Sequence, residues 1–136
     1  MECVFCTIVA GSVDAAVVAA DSHALAFLDT RPVFKGHVLV VPRAHLAVLT
    51  DLSADALAPY FGLVQRVAAA VERGLGAGGT FVAMNNRVSQ SVAHLHTHVV
   101  PRTKGDGLRG FFWPRTRYAS TEELADYAGR IAAALG

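Results

Sequence analysis

The chain has 136 residues, a formal net charge of +1 and 53% apolar residues, a fraction swollen by alanine. That is one domain of ordinary size with enough apolar side chain for a core. It excludes a disordered chain, a collagen-like or low-complexity chain, and a nucleic-acid binder that works through bulk positive charge. No apolar run reaches the roughly 18 residues of a membrane span. The opening Met-Glu-Cys-Val-Phe-Cys lacks the basic segment of a secretory signal. The expectation is a soluble, cytoplasmic, single-domain protein (1–136), whose two cysteines form no structural disulfide.

Residues 15–20 and 24–28 read as short strands joined by a hairpin corner at Asp21-Ser22. A third strand is expected over 37–41. Leu57, Tyr60, Phe61, Val64, Val67, Ala68 and Val71 then recur at three and four, the period of a helix. Ser53 suits its N-cap and Gly74 its C-cap, while Pro59 should delay its regular start. The glycine-rich stretch 74–79 is a connection, since it lacks the Lys-Ser/Thr ending of a phosphate-binding loop. Strands over 80–84 and 95–100 follow. Ser120-Thr-Glu-Glu123 is a capping box, opening a second helix with the apolar stripe Leu124, Tyr127, Ile131 and Leu135. Connections between the early strands are too brief for crossover helices. The fold class is therefore α+β, an antiparallel sheet with helices packed on one face.

The chemistry concentrates in His94-Leu95-His96-Thr97-His98. On a strand, residues two apart share a face, so three imidazoles line one side and Leu95, Thr97 and Val99 the other. A metal held by all three is disfavoured by distance. Outer members of such a triad lie roughly 13 Å apart on a regular strand, against zinc–nitrogen bonds of about 2.0–2.1 Å. Two of them, His94 and His96, remain a conceivable catalytic metal pair. Nucleophilic catalysis fits better. A neutral imidazole attacks phosphorus when its other nitrogen is held by an acceptor, and a second imidazole handles the proton. His96, flanked on both sides, is the best placed nucleophile. The polar turn Asn85-Asn86-Arg87-Val88-Ser89-Gln90-Ser91 feeds into it and supplies donors for phosphate oxygens.

The run from Gln90 through His94, His96 and His98 to Arg102 resembles the histidine-triad (HIT) family of nucleotide hydrolases and transferases. So does Asp29-x-x-Pro32-x-x-x-Gly36-His37-x-Leu39-Val40-x-Pro42-x-x-His45, and the opening Cys3-Val-Phe-Cys-Thr-Ile is similar to the family's N-terminus. The resemblance spans roughly residues 3 to 102. It implies a five-stranded antiparallel sheet with two helices, continued across a homodimer. It implies that His96 forms a nucleotidyl-histidine that water cleaves, with His94 and His98 orienting it. Gln90, Ser91 and Asn85 would contact phosphate or leaving group, Asp29 the ribose hydroxyls, and Phe5, Ile8 and Phe27 the base. The implied substrate is a purine-type nucleoside phosphoramidate or a dinucleoside polyphosphate. A zinc-stabilised nucleotide-sensing or protein-interaction module with little catalysis is the alternative.

Three features depart from the family pattern. Thr97 replaces an apolar residue between the second and third histidines, which predicts changed packing and unchanged chemistry. Ser89 replaces the glycine before Gln90 in a turn that is also shortened. The aromatic segment 110–115 and the helix after it lie beyond the matched part. Cys3-x-x-Cys6 alone is compatible with a redox pair, two inert thiols or half of a zinc site. In bacterial members of the family such a pair holds a structural zinc with two histidines, which places the ligands here at Cys3, Cys6, His45 and His94. Chemistry at His96 needs no cofactor.

Overall fold

The computed structural model describes residues 2–109 and 114–136. The chain forms two compact units, Met1–Asp106 and Gly107–Gly136. The first contains α1 (Val4–Val9), β1 (Val17–Ala20), β2 (Ala24–Leu28), β3 (Val38–Pro42), α2 (Ala54–Leu75), β4 (Gly79–Ala83) and β5 (Thr97–Arg102). The second contains α3 (Thr121–Ala134). The five strands form one antiparallel sheet in the order β1-β2-β3-β5-β4, as expected.

The inner strands β2, β3 and β5 are buried on both faces because they carry apolar side chains on both. Ala24, Ala26, Val38, Val40, Leu95 and Val99 meet Tyr60, Leu63, Val64, Val67 and Val71 of α2. Leu25, Phe27, Leu39 and Val41 face the other way and meet Phe5 of α1. A helix on this second face was not expected. Six residues are too few to display a helical period, and the Cys3 sulfur caps the helix by accepting the Cys6 N–H at 3.5 Å.

Several boundaries differ from expectation. Pro59 lies inside α2, which starts at Ala54. The hydrogen bond it removes is the one to the Asp55 carbonyl, on an exposed residue where water replaces it. Ser53 occupies the N-cap without a side-chain bond, and the C-cap is Gly76 at φ 64°, two residues beyond Gly74. The Asp21 corner is an Asx turn in which Oδ1 accepts the N–H groups of His23 and Ala24 at 2.8 and 2.9 Å. In α3, Ser120 caps Glu123 N–H at 3.1 Å, and the Glu123 carboxylate reaches back to Ala119 N–H at 2.8 Å.

Thr97 has a definite role. It is buried, and its hydroxyl lies 2.6 Å from the Tyr60 hydroxyl, which itself donates to the Val40 carbonyl at 2.8 Å. Tyr60 has one proton and spends it on the carbonyl, so Thr97 is the donor to Tyr60. Burial pushes the Tyr60 phenol up to about 12.

Candidate active site

The alternation of the triad survives, although only His98 lies within β5; His94 sits in a bend, and Leu95 and His96 lead the chain from it into the strand. Leu95 N–H donates to the Leu46 carbonyl at 2.6 Å instead of to a sheet neighbour. All three imidazoles point to the α1 side of the sheet. The Phe5 ring meets His96 edge-on at 5.1 Å and His94 at 5.9 Å, and the His96 and His98 rings are 5.1 Å apart.

Hydrogen-bond partners decide where each ring carries its proton, because a carbonyl only accepts. His96 Nδ1 lies 2.7 Å from the His94 carbonyl, so Nδ1 is protonated and Nε2 keeps its lone pair. His94 Nε2 lies 2.8 Å from the Pro42 carbonyl, so Nε2 is protonated and Nδ1 is free. His98 Nδ1 lies 2.9 Å from His37 Nε2. His37 Nδ1 accepts the Val33 N–H at 3.1 Å, so its proton sits on Nε2 and is donated to His98. The His98 proton is thereby placed on Nε2, the nitrogen left for a substrate.

Burial, then the neighbouring His96 and His37, push the His98 imidazole down to about 4, against a smaller upward pull from Asp29. His37 is also held below the usual range by burial, with Asp29 opposing at 3.8 Å. His94 is lowered by burial, partly offset by its bond to Pro42. At pH 7 His37, His94 and His98 are therefore neutral.

Beside the histidines lies a cavity of about 510 Å³, a size that suits a small-molecule ligand. Phe5, Ile8, Phe27, Asp29, Ser91, His96 and His98, all singled out in the sequence, line it. Phe5 and Phe27 form one wall, edge to face at 5.6 Å. Asn85 and Gln90 do not line it. Asn85 is exposed outside the cavity wall, and Gln90 spends its amide on the loop itself: Nε2 donates to Ala47 O at 2.6 Å and Oε1 accepts Arg87 N–H at 2.9 Å. The turn is compressed there, with Arg87 and Ser89 at φ 68° and 61°, a conformation glycine adopts more readily. The aromatic residues 111–113 lie outside the described residues.

On the other side of His94, the ligating atoms of Cys3, Cys6, His45 and His94 lie within 4.8 Å of one another. His94 Nδ1 is 3.5 Å from both sulfurs, and His45 Nδ1 is 3.2 Å from Cys6 Sγ. Tetrahedral zinc with ordinary bond lengths sets sulfur and nitrogen about 3.6 Å apart, so the four residues fit that ion. His94 offers the deprotonated nitrogen a metal needs, oriented by the Pro42 carbonyl as metal-bound histidines usually are. With zinc bound there, both ring nitrogens of His94 would be committed, leaving none for a catalytic metal shared with His96.

His37 appears in the Asp29–His45 motif but received no role from the sequence, although it is 3% exposed and touches the triad. Its signal was present: a histidine next to Gly36 at the start of an apolar strand, with no solvent-facing reason to be there.

The HIT domain family model matches residues 10–105. The chain belongs to the HIT family. It is 37% identical over 116 residues to the adenosine 5'-monophosphoramidase hnt1 of Schizosaccharomyces pombe, covering 84% of each chain. A HIT family protein of Bacillus subtilis superposes with a TM-score of 0.88 at 35% identity, covering 100% of this chain and 99% of the other. A zinc-bound histidine triad family protein of Mycobacterium smegmatis does so at 0.75 and 38% identity, covering 98% of each. The chain thus shares the HIT fold, and its Cys/His cluster is compatible with structural zinc.

Proposed function

We propose that the protein hydrolyses a nucleotide at its α-phosphorus, as a nucleoside phosphoramidase or dinucleoside polyphosphate hydrolase. The observation that carries this is the state of His96. Its Nδ1–H is pinned to the His94 carbonyl, its Nε2 lone pair is free, and it borders a cavity shared with a second imidazole at 5.1 Å. Nε2 attacks phosphorus, forming the phosphorus–nitrogen bond as the bond to the leaving group breaks. The leaving amine or phosphate takes a proton from His98. Water then attacks the nucleotidyl-histidine, His98 recovers a proton from it, and His96 departs.

His98 is neutral in the free protein, and a neutral imidazole is a weak acid. An anionic phosphate beside it favours the imidazolium, so the bound substrate itself raises His98 towards the pKa a proton donor needs. Asp29 accepts from the ribose hydroxyls, Ser91 contacts the phosphate side, and Phe5, Ile8 and Phe27 enclose a purine. Zinc held by Cys3, Cys6, His45 and His94 serves structure: it ties α1, which carries Phe5, to the chain that carries His96. Free thiols suit a cytoplasmic protein.

A homodimer that continues the sheet is supported by exposed apolar residues in each unit. β4 is an edge strand with Val82 exposed, and in α3 Leu124, Tyr127 and Ile131 are exposed, as is Leu135 at its end. A monomeric mass in solution would remove it.

The test is intact-protein mass spectrometry after brief mixing with an adenosine phosphoramidate. Wild type should carry a transient adduct of one nucleoside monophosphate, His98→Ala should form it more slowly, and His96→Ala should show none. Binding without adduct or turnover would favour the sensing module.

A further inference from the structure

The cavity carries a carboxylate that the chemistry above does not use. Asp14 lines it together with Asp29. The two acids occupy different places along α1. Phe5, at the start of the helix, touches His96 at 5.1 Å. Ile8 lies nearly one turn further on, about 4.5 Å along the axis. The chain then turns off the far end of the helix, with Gly11 N–H on Ile8 O at 3.0 Å and Ser12 N–H on Thr7 O at 2.9 Å. Two residues beyond Asp14 it is tied down again, where Leu28 N–H donates to Ala16 O at 3.0 Å. Asp14 is thus held between two anchors, just beyond the end of α1, whereas the start of that helix carries Phe5 against His96. Asp29 follows β2 and lies within reach of His37.

A nucleotide placed with its phosphate at His96 and its ribose at Asp29 lays its base along Phe5, Ile8 and Phe27. In a purine the hydrogen-bonding edge is the side opposite the ribose, so it is this edge that comes to Asp14. An ionised carboxylate only accepts hydrogen bonds. Guanine offers it two adjacent donors, N1–H and the 2-amino group, which match both oxygens of one carboxylate. Adenine offers one donor beside the N1 lone pair, which faces the carboxylate unfavourably. Hypoxanthine offers N1–H alone.

We propose that Asp14 reads the base edge and makes the site selective for guanosine nucleotides, an inference that rests on the cavity being the nucleotide site. Asp14 is exposed in the free protein, so water competes for it and the selectivity is about tenfold rather than absolute.

The experiment compares GMP, IMP and AMP binding by calorimetry, and turnover of guanosine and adenosine phosphoramidates, for wild type, Asp14→Asn and Asp14→Ala. Each ratio is taken within one preparation, so the fraction folded cancels. The expected order is GMP over IMP over AMP, with about tenfold between the ends in wild type and less than about threefold in both variants. Equal affinities in wild type overturn the inference, as does a preference that persists in both variants. Base-selective binding without turnover overturns the catalytic reading and leaves this one standing, whereas turnover without base selectivity does the reverse. No binding of any nucleotide overturns both.

Discussion

The Thr97–Tyr60 pair gives a prediction in which the sign, and not only the size, is informative. Tyr60→Phe removes two buried hydrogen bonds, to Val40 O and from Thr97 Oγ1. Each contributes about 1 kcal/mol net, and a buried donor left unpaired costs about 1–3 kcal/mol more. Thr97 is 1% exposed, so its stranded hydroxyl carries that penalty, and the variant should lose about 3–5 kcal/mol. Thr97→Val removes one bond and keeps the Tyr60 proton on Val40, so about 1 kcal/mol is expected. Made on top of Tyr60→Phe, however, the same Thr97→Val change takes away the stranded donor and should stabilise by about 1 kcal/mol. Urea unfolding of the four proteins closes the cycle. Because Thr97 faces away from the imidazoles, Thr97→Val should leave turnover within about twofold, well under the tenfold step of 1.36 kcal/mol in the barrier. If Thr97→Val destabilises equally in both backgrounds, the donor assignment is wrong.

Three further outcomes are expected. His98 is pushed down to about 4, against an ordinary 6.5. The unfolded chain therefore binds the extra proton, and the stability this contributes is present above pH 6.5 and lost as pH falls through 4. The full shift corresponds to about 3 kcal/mol, reduced by solvent screening of a partly exposed ring to about 1–2. Denaturation at pH 7.5 and 4.5 should show that drop, and His98→Asn should shrink it; an unchanged slope in the variant refutes the assignment. Cys6→Ser should lower zinc content and thermal midpoint together, and wild type purified without added metal yet free of zinc by elemental analysis would end the metal reading. His37→Phe removes the donor that places the His98 proton. It should slow release of an amine by about tenfold or more, and release of a nitrophenolate, which needs no proton, far less; equal losses would make His37 merely structural.

The sheet was legible because hydrophobic runs bounded by turn residues mark strands, and β2 falls on 24–28 as read. The triad was legible through its spacing by two, and His94 and His96 both meet Phe5 of α1 although they lie outside β5. α1 was hidden by its length, and the start of α2 by Pro59, whose lost bond falls on an exposed turn. The cavity walls Phe5, Ile8, Phe27 and Asp29 were reached through resemblance, because sequence distance conceals that the first turn of the chain lies over the last strand. Gln90 was ambiguous because an amide reads equally as a ligand for phosphate or for its own loop. Only the Ala47 carbonyl, 43 residues away, decides between them.

Three chemically identical side chains at 94, 96 and 98 end with three different assignments, and none of the difference resides in the imidazoles. The Pro42 carbonyl leaves His94 a bare Nδ1 for the cysteine side. The His94 carbonyl leaves His96 a bare Nε2 for the cavity. The amide of Val33, acting through His37, leaves His98 a proton on Nε2. Each depends on register: Val40 opposite Thr97 and Leu39 opposite His98 bring β3, and with it His37, to the right ring. A slip of one residue would turn the imidazoles into the α2 core and Leu95 and Thr97 into the cavity. The apolar face under α2 therefore specifies the protonation pattern of the opposite face. This is why Thr97, which touches no imidazole from its own side, belongs to the account of the site.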